Sequence, residues 1–524
     1  MSYDYIIIGA GSAGCAIANR LSANQAVRVL LLEAGGPDDE PNIHIPAVIR
    51  TLYHSEYDWD YETTPQSGLN GRKEFVPRGR VLGGSSSTNA MIYQRGAPAD
   101  YDYWAELGNE GWSYADLLPL FKKMMHQERG ASEAHGVDGP MNVADLRDPN
   151  PLSLALIAAA DEQGFPTTDE FNAGDQIGFG LYQVTQKDGE RCSAATGYLH
   201  PILSRENLTA IPYAMVTKLN LDGNRCVGVT YHKDGDIHHA TADQEVILAG
   251  GAINSPQLLM LSGIGPAAHL AEHGIEVLCD LPGVGENLQD HCKTPVAYHV
   301  TQPITLAHAN SETERLKYQN ERRGLLTSNT AEAGGFLQLY PESRAPELQF
   351  HFNPAWSINH GADNPPGDGM TLFPGIVGTK SVGSLKLASA DPTDPPLINP
   401  NLLGDPHDVA VTVEGLKLAR KLLNSAAFDP YRGEEYLPGP EIQSDEALET
   451  YARNYTQTIY HPTGTCKMGN DPLAVVNHRL QVHGVEGLRV ADASIMPVII
   501  NANTNIPAMM IGEKCAELIL NESA

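Results

Sequence analysis

Basic residues are in short supply: 35 Lys and Arg stand against 64 Asp and Glu, giving a formal net charge of −29. A surface that negative repels phosphate backbones, which argues against a nucleic-acid partner and for solubility, as in a saline habitat. Cysteine is sparse too. The seven thiols, at 15, 192, 226, 279, 292, 466 and 515, form no CxxC pair and no Cys/His zinc spacing. Neither a disulfide framework nor a metal centre is expected, and a reducing cytoplasm is the natural compartment. Long apolar runs are absent, so no transmembrane segment is expected, although the pattern leaves peripheral membrane contact open. The start, MSYDYIIIGAG, lacks a basic leader region and reads as a first β-strand rather than a signal peptide. Repeats and low-complexity tracts are also missing.

What is present is an apolar fraction of 42%, enough for a large core, punctuated by 50 Gly and 36 Pro. The N-terminus reads strand, turn, helix, strand: Tyr5–Ile8, Gly9–Gly14, Ser12–Leu21 and Val27–Leu32. Such a unit belongs to a doubly wound parallel sheet. A β-rich stretch follows at Leu208–Ile247, broken by the turn pairs Asp222-Gly223 and Asp234-Gly235. It ends in the run Glu245–Ala249, which enters Gly250-Gly251. A third run, Leu488–Val490, leads into Ala491-Asp492-Ala493. Each is a strand delivering a turn, so one sheet assembled from discontinuous segments is expected. Residues of roughly Thr294–Tyr460 have mixed periodicity and would form a second unit over that sheet.

Gly9-Ala10-Gly11-Ser12-Ala13-Gly14 is a GxGxxG fingerprint in its proper context, after a strand and opening a helix. Gly9 permits the tight turn, Gly11 lets a pyrophosphate approach the backbone, and Gly14 lets helix and strand pack closely. The helix N-terminus favours the anion. Glu33, at the end of the next strand, is placed to accept ribose hydroxyls. Chemically the fingerprint serves NAD or FAD. A second Gly-rich segment runs Gly79-Arg80-Val81-Leu82-Gly83-Gly84-Ser85-Ser86-Ser87-Thr88-Asn89, and a third runs from Gly251-Ala252-Ile253-Asn254-Ser255 to Gly263-Ile264-Gly265.

These last two segments, with Gly283-Val284-Gly285-Glu286-Asn287-Leu288-Gln289-Asp290-His291, resemble the signatures of the glucose–methanol–choline (GMC) oxidoreductases almost position for position. The likeness runs from residue 3 to about residue 520. It implies an α/β fold: a Rossmann-like FAD-binding domain built from segments 1–150, 191–296 and 459–524, and a sheet-and-helix substrate domain built from 151–190 and 297–458. The cofactor-binding residues so implied are Gly9, Gly11, Ser12, Ala13, Gly14, Glu33, Ala34, Arg80, Val81, Gly84, Ser85, Asn89, Ala90, Met91, Ile92, Val216, Asp492, Ala493 and Thr504. Among these, Val216 would lie near the adenine, and Asp492 with Ala493 near the ribityl–pyrophosphate part. Relatives that attach FAD covalently use a histidine just before the asparagine matching Asn89; here Thr88 stands there, so FAD is expected to be non-covalent.

The resemblance also implies the catalytic pair. His461, opening His461-Pro462-Thr463-Gly464, and Asn503, within Asn501-Ala502-Asn503-Thr504-Asn505, match the family's histidine and its histidine-or-asparagine beside flavin N5. The chemistry suits them: hydride leaves an alcohol carbon readily only as the hydroxyl proton is removed, and imidazole can take that proton. An amide N–H can stabilise the developing alkoxide. The expected reaction is oxidation of a primary alcohol to an aldehyde, with electrons passing on to O2 or a quinone-type acceptor. Choline is a minor candidate, needing a cage from groups such as Glu332, Trp356 and Trp59. Two other activities occur on this fold. A fatty-acid photodecarboxylase would need a cysteine at Ala331 and an arginine at His351, and both are missing; a hydroxynitrile lyase stays open. Cys466, beside the proposed site, has no activating partner in sequence and reads as shape-filling.

Overall fold

The computed structural model describes residues 2–522, which form two large sheets and five two-stranded ones. The first has seven strands in the order Leu208–Ile211, Val29–Leu32, Ser2–Ile8, Asp236–Leu248, Arg225–Lys233 and Met215–Asp222, with Leu488–Val490 also pairing with Asp236–Leu248. Tyr5–Ile8 runs parallel to Val29–Leu32 on one side and to Glu245–Leu248 on the other. The strand Asp236–Leu248 does two jobs along its length. Its first part forms an antiparallel hairpin with Arg225–Lys233, and its last three residues pair in parallel with Leu488–Val490. Residues 488–490 are thus drawn into a sheet begun at residue 2, as expected for one sheet made of discontinuous pieces. The observed strands differ from expectation at their ends: the first starts at Ser2 and the second at Val29.

The parallel arrangement has a consequence for the site. The carboxyl ends of Ser2–Ile8, Val29–Leu32, Asp236–Leu248 and Leu488–Val490 all lie at one edge of the sheet. They deliver Gly9, Glu33, Gly250 and Asp492 there together. In an open α/β sheet this edge is where ligands bind. Helices Ser12–Leu21 and Asn505–Glu522 pack face to face under this sheet; a Cβ at Gly512 would come within 2.5 Å of the Ala13 carbonyl, so a glycine is needed for that approach.

The second sheet has eight strands, antiparallel, in the main order Arg432–Leu437, Val296–Val300, Gly369–Ile376, Leu348–Asn353, Ala333–Leu337 and Gly178–Leu181. Helices Pro151–Glu162 and Pro406–Leu423 cover it, sharing a core of Leu152, Leu156, Phe350, Leu416 and Leu422. Cys292–Lys293, which the sequence reading leaves in the first unit, pairs here with Gly369–Ile376 and with Gln457–Thr458. That register brings Lys293 and the residues just before His461 to the same place. All seven cysteines are free thiols, and among the described residues no helix is long and apolar enough to cross a membrane.

Candidate active site

Between the two large sheets lies a cavity of about 310 Å³. On its first-sheet wall stand Gly9, Gly11, Ser12, Ala13, Glu33 and Ala34, then Gly84, Ser85, Asn89, Ala90, Met91 and Ile92, with Val216, Asp492, Ala493 and Thr504. Three expected cofactor residues do not line it. Gly14 lies behind the turn, where a Cβ would be 1.9 Å from the Gly9 carbonyl oxygen, so it serves the packing of turn on helix. Arg80 and Val81 back the Glu33–Gly36 loop: Gly36 bridges Val81, a Cβ on Gly35 would strike the Arg80 carbonyl, and the Arg80 guanidinium rests 5.0 Å from the Trp59 ring.

This wall fits a dinucleotide on two independent observations. Helix Ser12–Leu21 starts at Gly11 with no side-chain cap, so its first-turn N–H groups are offered at the cavity edge, where an anion is favoured. At Gly11 itself an added Cβ would meet no protein atom closer than 4.0 Å. The protein's own packing does not require glycine there; its absence of a side chain leaves the backbone open to the cavity it lines. Gly9 differs: its φ is +98° and a Cβ would lie 2.5 Å from the Ala249 carbonyl. Glu33 accepts N–H bonds from Ala10 and Gly35, both at 2.8 Å, and burial pushes its carboxyl above the ordinary range. Each of its oxygens keeps a lone pair for a further donor. Asp492 accepts from Gly251 N (2.8 Å) and Ser255 Oγ (2.6 Å), tying the last strand to the start of helix Gly251–Leu261.

His461 faces the same cavity from the opposite side. It follows Tyr460, a non-glycine residue at φ +70°, a conformation costing about 1–3 kcal/mol that surrounding bonds must hold. Thr458 Oγ1 accepts from Tyr460 N, the Arg78 guanidinium donates to the Tyr460 carbonyl (2.6 Å), and Asp290 Oδ1 accepts from His461 N (2.8 Å). Asp290 is buried and its carboxyl is pushed up to about 6 by desolvation. The ring is fixed at both nitrogens. Asn503 Nδ2 lies 3.2 Å from Nε2, and His291 Nδ1 lies 3.0 Å from Nδ1. Gln349 Nε2 donates to Asn503 Oδ1 (2.8 Å), which turns the Asn503 NH2 group toward the imidazole. An N–H aimed at Nε2 leaves that atom as the lone-pair nitrogen and puts the proton on Nδ1, shared with His291. Desolvation, with positive groups and imidazoles nearby, drives His461 far below its ordinary titration range, so the ring is neutral at neutral pH.

The neighbouring asparagines are spent elsewhere. Asn501 Nδ2 donates to the Pro346 carbonyl, and Asn505 Oδ1 accepts from Ser12 Oγ. Glu332, Trp356 and Trp59 do not meet in a cage. Glu332 is buried off the cavity with Ser328, Asn150 and Ser153 as donors, and Trp356 points its N–H at the Gly367 carbonyl; of the three only Trp59 reaches the wall. Cys466 is fully buried and its thiol is pushed far up by desolvation, leaving it inert. Sequence reasoning overlooked Asp290, His291, Gln349, Lys293 and Arg50, and weighed His351 only as the position where a decarboxylase would carry arginine. Asp290-His291 stood inside a quoted signature without a role, and the others carry no local motif.

Comparison with known proteins now fits this geometry to a family. Residues 3–293 and 379–512 match the N- and C-terminal profiles described as GMC oxidoreductase. This chain belongs to the GMC oxidoreductase family. It is 45% identical over 529 residues to the alcohol dehydrogenase [acceptor] of Pseudomonas putida, covering 99% of this chain and 96% of that one. It is also 45% identical over 536 residues to the mitochondrial choline dehydrogenase of Homo sapiens, covering 100% and 90%. Among solved structures, pyridoxine 4-oxidase from Mesorbium loti superimposes with a TM-score of 0.91 at 31% identity, covering 99% of both chains. A formate oxidase variant from Aspergillus oryzae RIB40 gives 0.93 at 30% identity over 99% and 98%. The GMC chain described here is therefore an FAD-binding oxidoreductase, a dehydrogenase or oxidase by type, with the mixed α/β architecture expected.

Proposed function

We propose that this GMC enzyme oxidises a primary alcohol to the aldehyde, with His461 as the base and Asn503 as the donor to the substrate oxygen. The observation that carries the reading is the Asn503 Nδ2–His461 Nε2 contact at 3.2 Å on the cavity wall, with the imidazole kept neutral by burial. A substrate hydroxyl entering between the two would give its proton to Nε2 and accept the Asn503 N–H as negative charge grows on oxygen. His291 accepts the Nδ1 proton and so holds the tautomer; Gln349 holds the amide. When bound, FAD supplies the acceptor for the hydride that leaves the alcohol carbon. Gly9, Gly11, Ser12, Ala13, Glu33 and Ala34, with Gly84, Ser85, Asn89, Ala90, Met91, Ile92, Val216, Asp492, Ala493 and Thr504, would hold it. With Thr88 rather than a histidine on that wall, FAD is held non-covalently and is released by denaturation. The relatives named for alcohol and choline oxidation support the substrate class at the level of alcohols. We place the domain boundaries as the sequence suggests, except that Lys293 serves the substrate side.

The test is anaerobic reduction of the bound flavin across a panel of primary alcohols, followed by reoxidation with O2 or with a quinone. Bleaching of the yellow colour by alcohols is expected, and the faster oxidant identifies the acceptor. A flavin that stays oxidised while a cyanohydrin is cleaved would assign the protein to the lyases instead.

A further inference from the structure

The two ends of the cavity carry opposite charge. Among the described residues the carboxylates on its wall are Glu33 and Asp492, both at the first-sheet edge and both already accepting backbone N–H bonds. The cations on its wall are Arg50, Arg78 and Lys293, which gather toward the second sheet with His351, His360 and His461; behind the wall the Glu74 carboxylate lies 3.4 Å from His360 Nε2. None of the three cations makes an ion pair. Arg50 donates to the Trp356 carbonyl (3.1 Å) and Ser357 Oγ (2.6 Å), and Arg78 to the carbonyls of Pro77 and Tyr460. Lys293 is paired through its backbone with Gly375 and Gln457, but its side chain makes no hydrogen bond among the described residues; its Nζ lies over the rings of Phe373 and Tyr460, 4.4 and 5.5 Å from their centroids. His351, buried on the same wall, has both ring nitrogens without a partner.

Withdrawing an ammonium from water without a counter-ion is costly, and burial beside the Arg50 guanidinium pushes Lys293 down to about 7. In most interiors such a residue would be given a carboxylate. Here the position facing it is open cavity. Resting on the alcohol-oxidation reading above, we propose that the preferred substrate is a hydroxy acid: an alcohol whose carboxylate is received by Lys293 and Arg50 while its hydroxyl sits between His461 and Asn503. One anion would neutralise the unpaired ammonium and the adjacent guanidinium together, in a site dry enough for the pairing to matter. The same field disfavours a quaternary ammonium at this end, and Glu332, the acid expected to greet one, is buried off the wall. The oxidation is balanced as before, since the carboxylate takes no part in bond changes.

The experiment uses FAD-loaded enzyme and a chain-length series of ω-hydroxy carboxylates, each paired with its amide. Flavin reduction under anaerobic conditions should give kcat/KM for the acid at least about tenfold above that for its amide at the best chain length, the range set by one charge-assisted contact. Equal or lower values for every acid, or a higher value for choline than for any acid, would overturn the proposal. In Lys293→Met the acid-to-amide ratio should fall about tenfold to a hundredfold, chiefly through KM; an unchanged ratio would also overturn it. If that variant does not fold, binding decides: saturated carboxylates lacking the hydroxyl should perturb the flavin spectrum of the wild type with a lower Kd than the matching amides, and equal Kd values refute the site. Should no alcohol of any kind reduce the flavin while carboxylates bind tightly, the alcohol reading falls and the anion site stands.

Discussion

The two walls of the cavity are built by different means. On the first-sheet wall the work is done by backbone: four parallel strands end at one edge, glycines at 9 and 11 set a turn and leave space, and an uncapped helix presents its N–H groups. On the opposite wall it is done by side chains whose partners are far away in sequence: His461 with His291 and Asn503, Asn503 with Gln349, Lys293 over Phe373. A wall made of backbone depends on its turn geometry and on the two carboxylates, Glu33 and Asp492, that hold its loops. A wall made of side chains depends on each member being held by the next.

The comparison is most exposed at His461. His461→Ala should keep yellow FAD yet slow anaerobic flavin reduction by alcohol about 10²–10⁴-fold, the usual weight of a general base; undiminished reduction would take the imidazole out of the mechanism. Asn503→Ala should lose roughly 10²–10³-fold, as for removal of one oxyanion donor. Asn501→Ala, its amide tied to Pro346, is the contrast, and equal losses in the two would erase the distinction drawn between them. On the first-sheet wall, Glu33→Ala leaves the Ala10 and Gly35 N–H groups without their acceptor, at a cost of roughly 1–3 kcal/mol each, and should weaken FAD retention in equilibrium dialysis. Unaltered affinity would show that the carboxylate serves only the loop.

The smallest effect is one of position on the pH axis. A base whose proton affinity is depressed stays competent further into acid. The acidic limb of kcat/KM should therefore lie below the 6.5 of an ordinary imidazole, with the rate falling as pH drops through the lowered value. A limb at 6.5 or above would mean that His461 is better solvated, or better paired, than this packing implies.

How far the molecule could be read beforehand follows the same division. The strand–turn–helix at 5–21 was legible because its glycine spacing and apolar run are local, and Leu488–Val490 because it ends in a turn of the same kind. The partnership of His461 and Asn503 came from resemblance, with Asn501 and Asn505 as rivals; the choice between them rests on which amide the fold turns toward Nε2. Lys293 was passed over altogether. Two residues of strand beside a signature carry no period, and only their pairing with Gly369–Ile376 and Gln457–Thr458 moves them to the substrate side. Arg80 and Val81 went the other way, sitting in a strong motif yet packing behind the loop.

By itself, then, the sequence determined the dinucleotide turn and the parallel sheet that carries it, because glycine spacing and strand periodicity act between near neighbours, and the family through the resemblance of its longer signatures. Only the tertiary structure decided which asparagine meets the imidazole, which partner each of its nitrogens receives, and that three cations line one end of the cavity with no carboxylate on that wall. Those outcomes depend on strand pairing and burial across hundreds of residues, and pairing and desolvation leave no local mark in the order of amino acids.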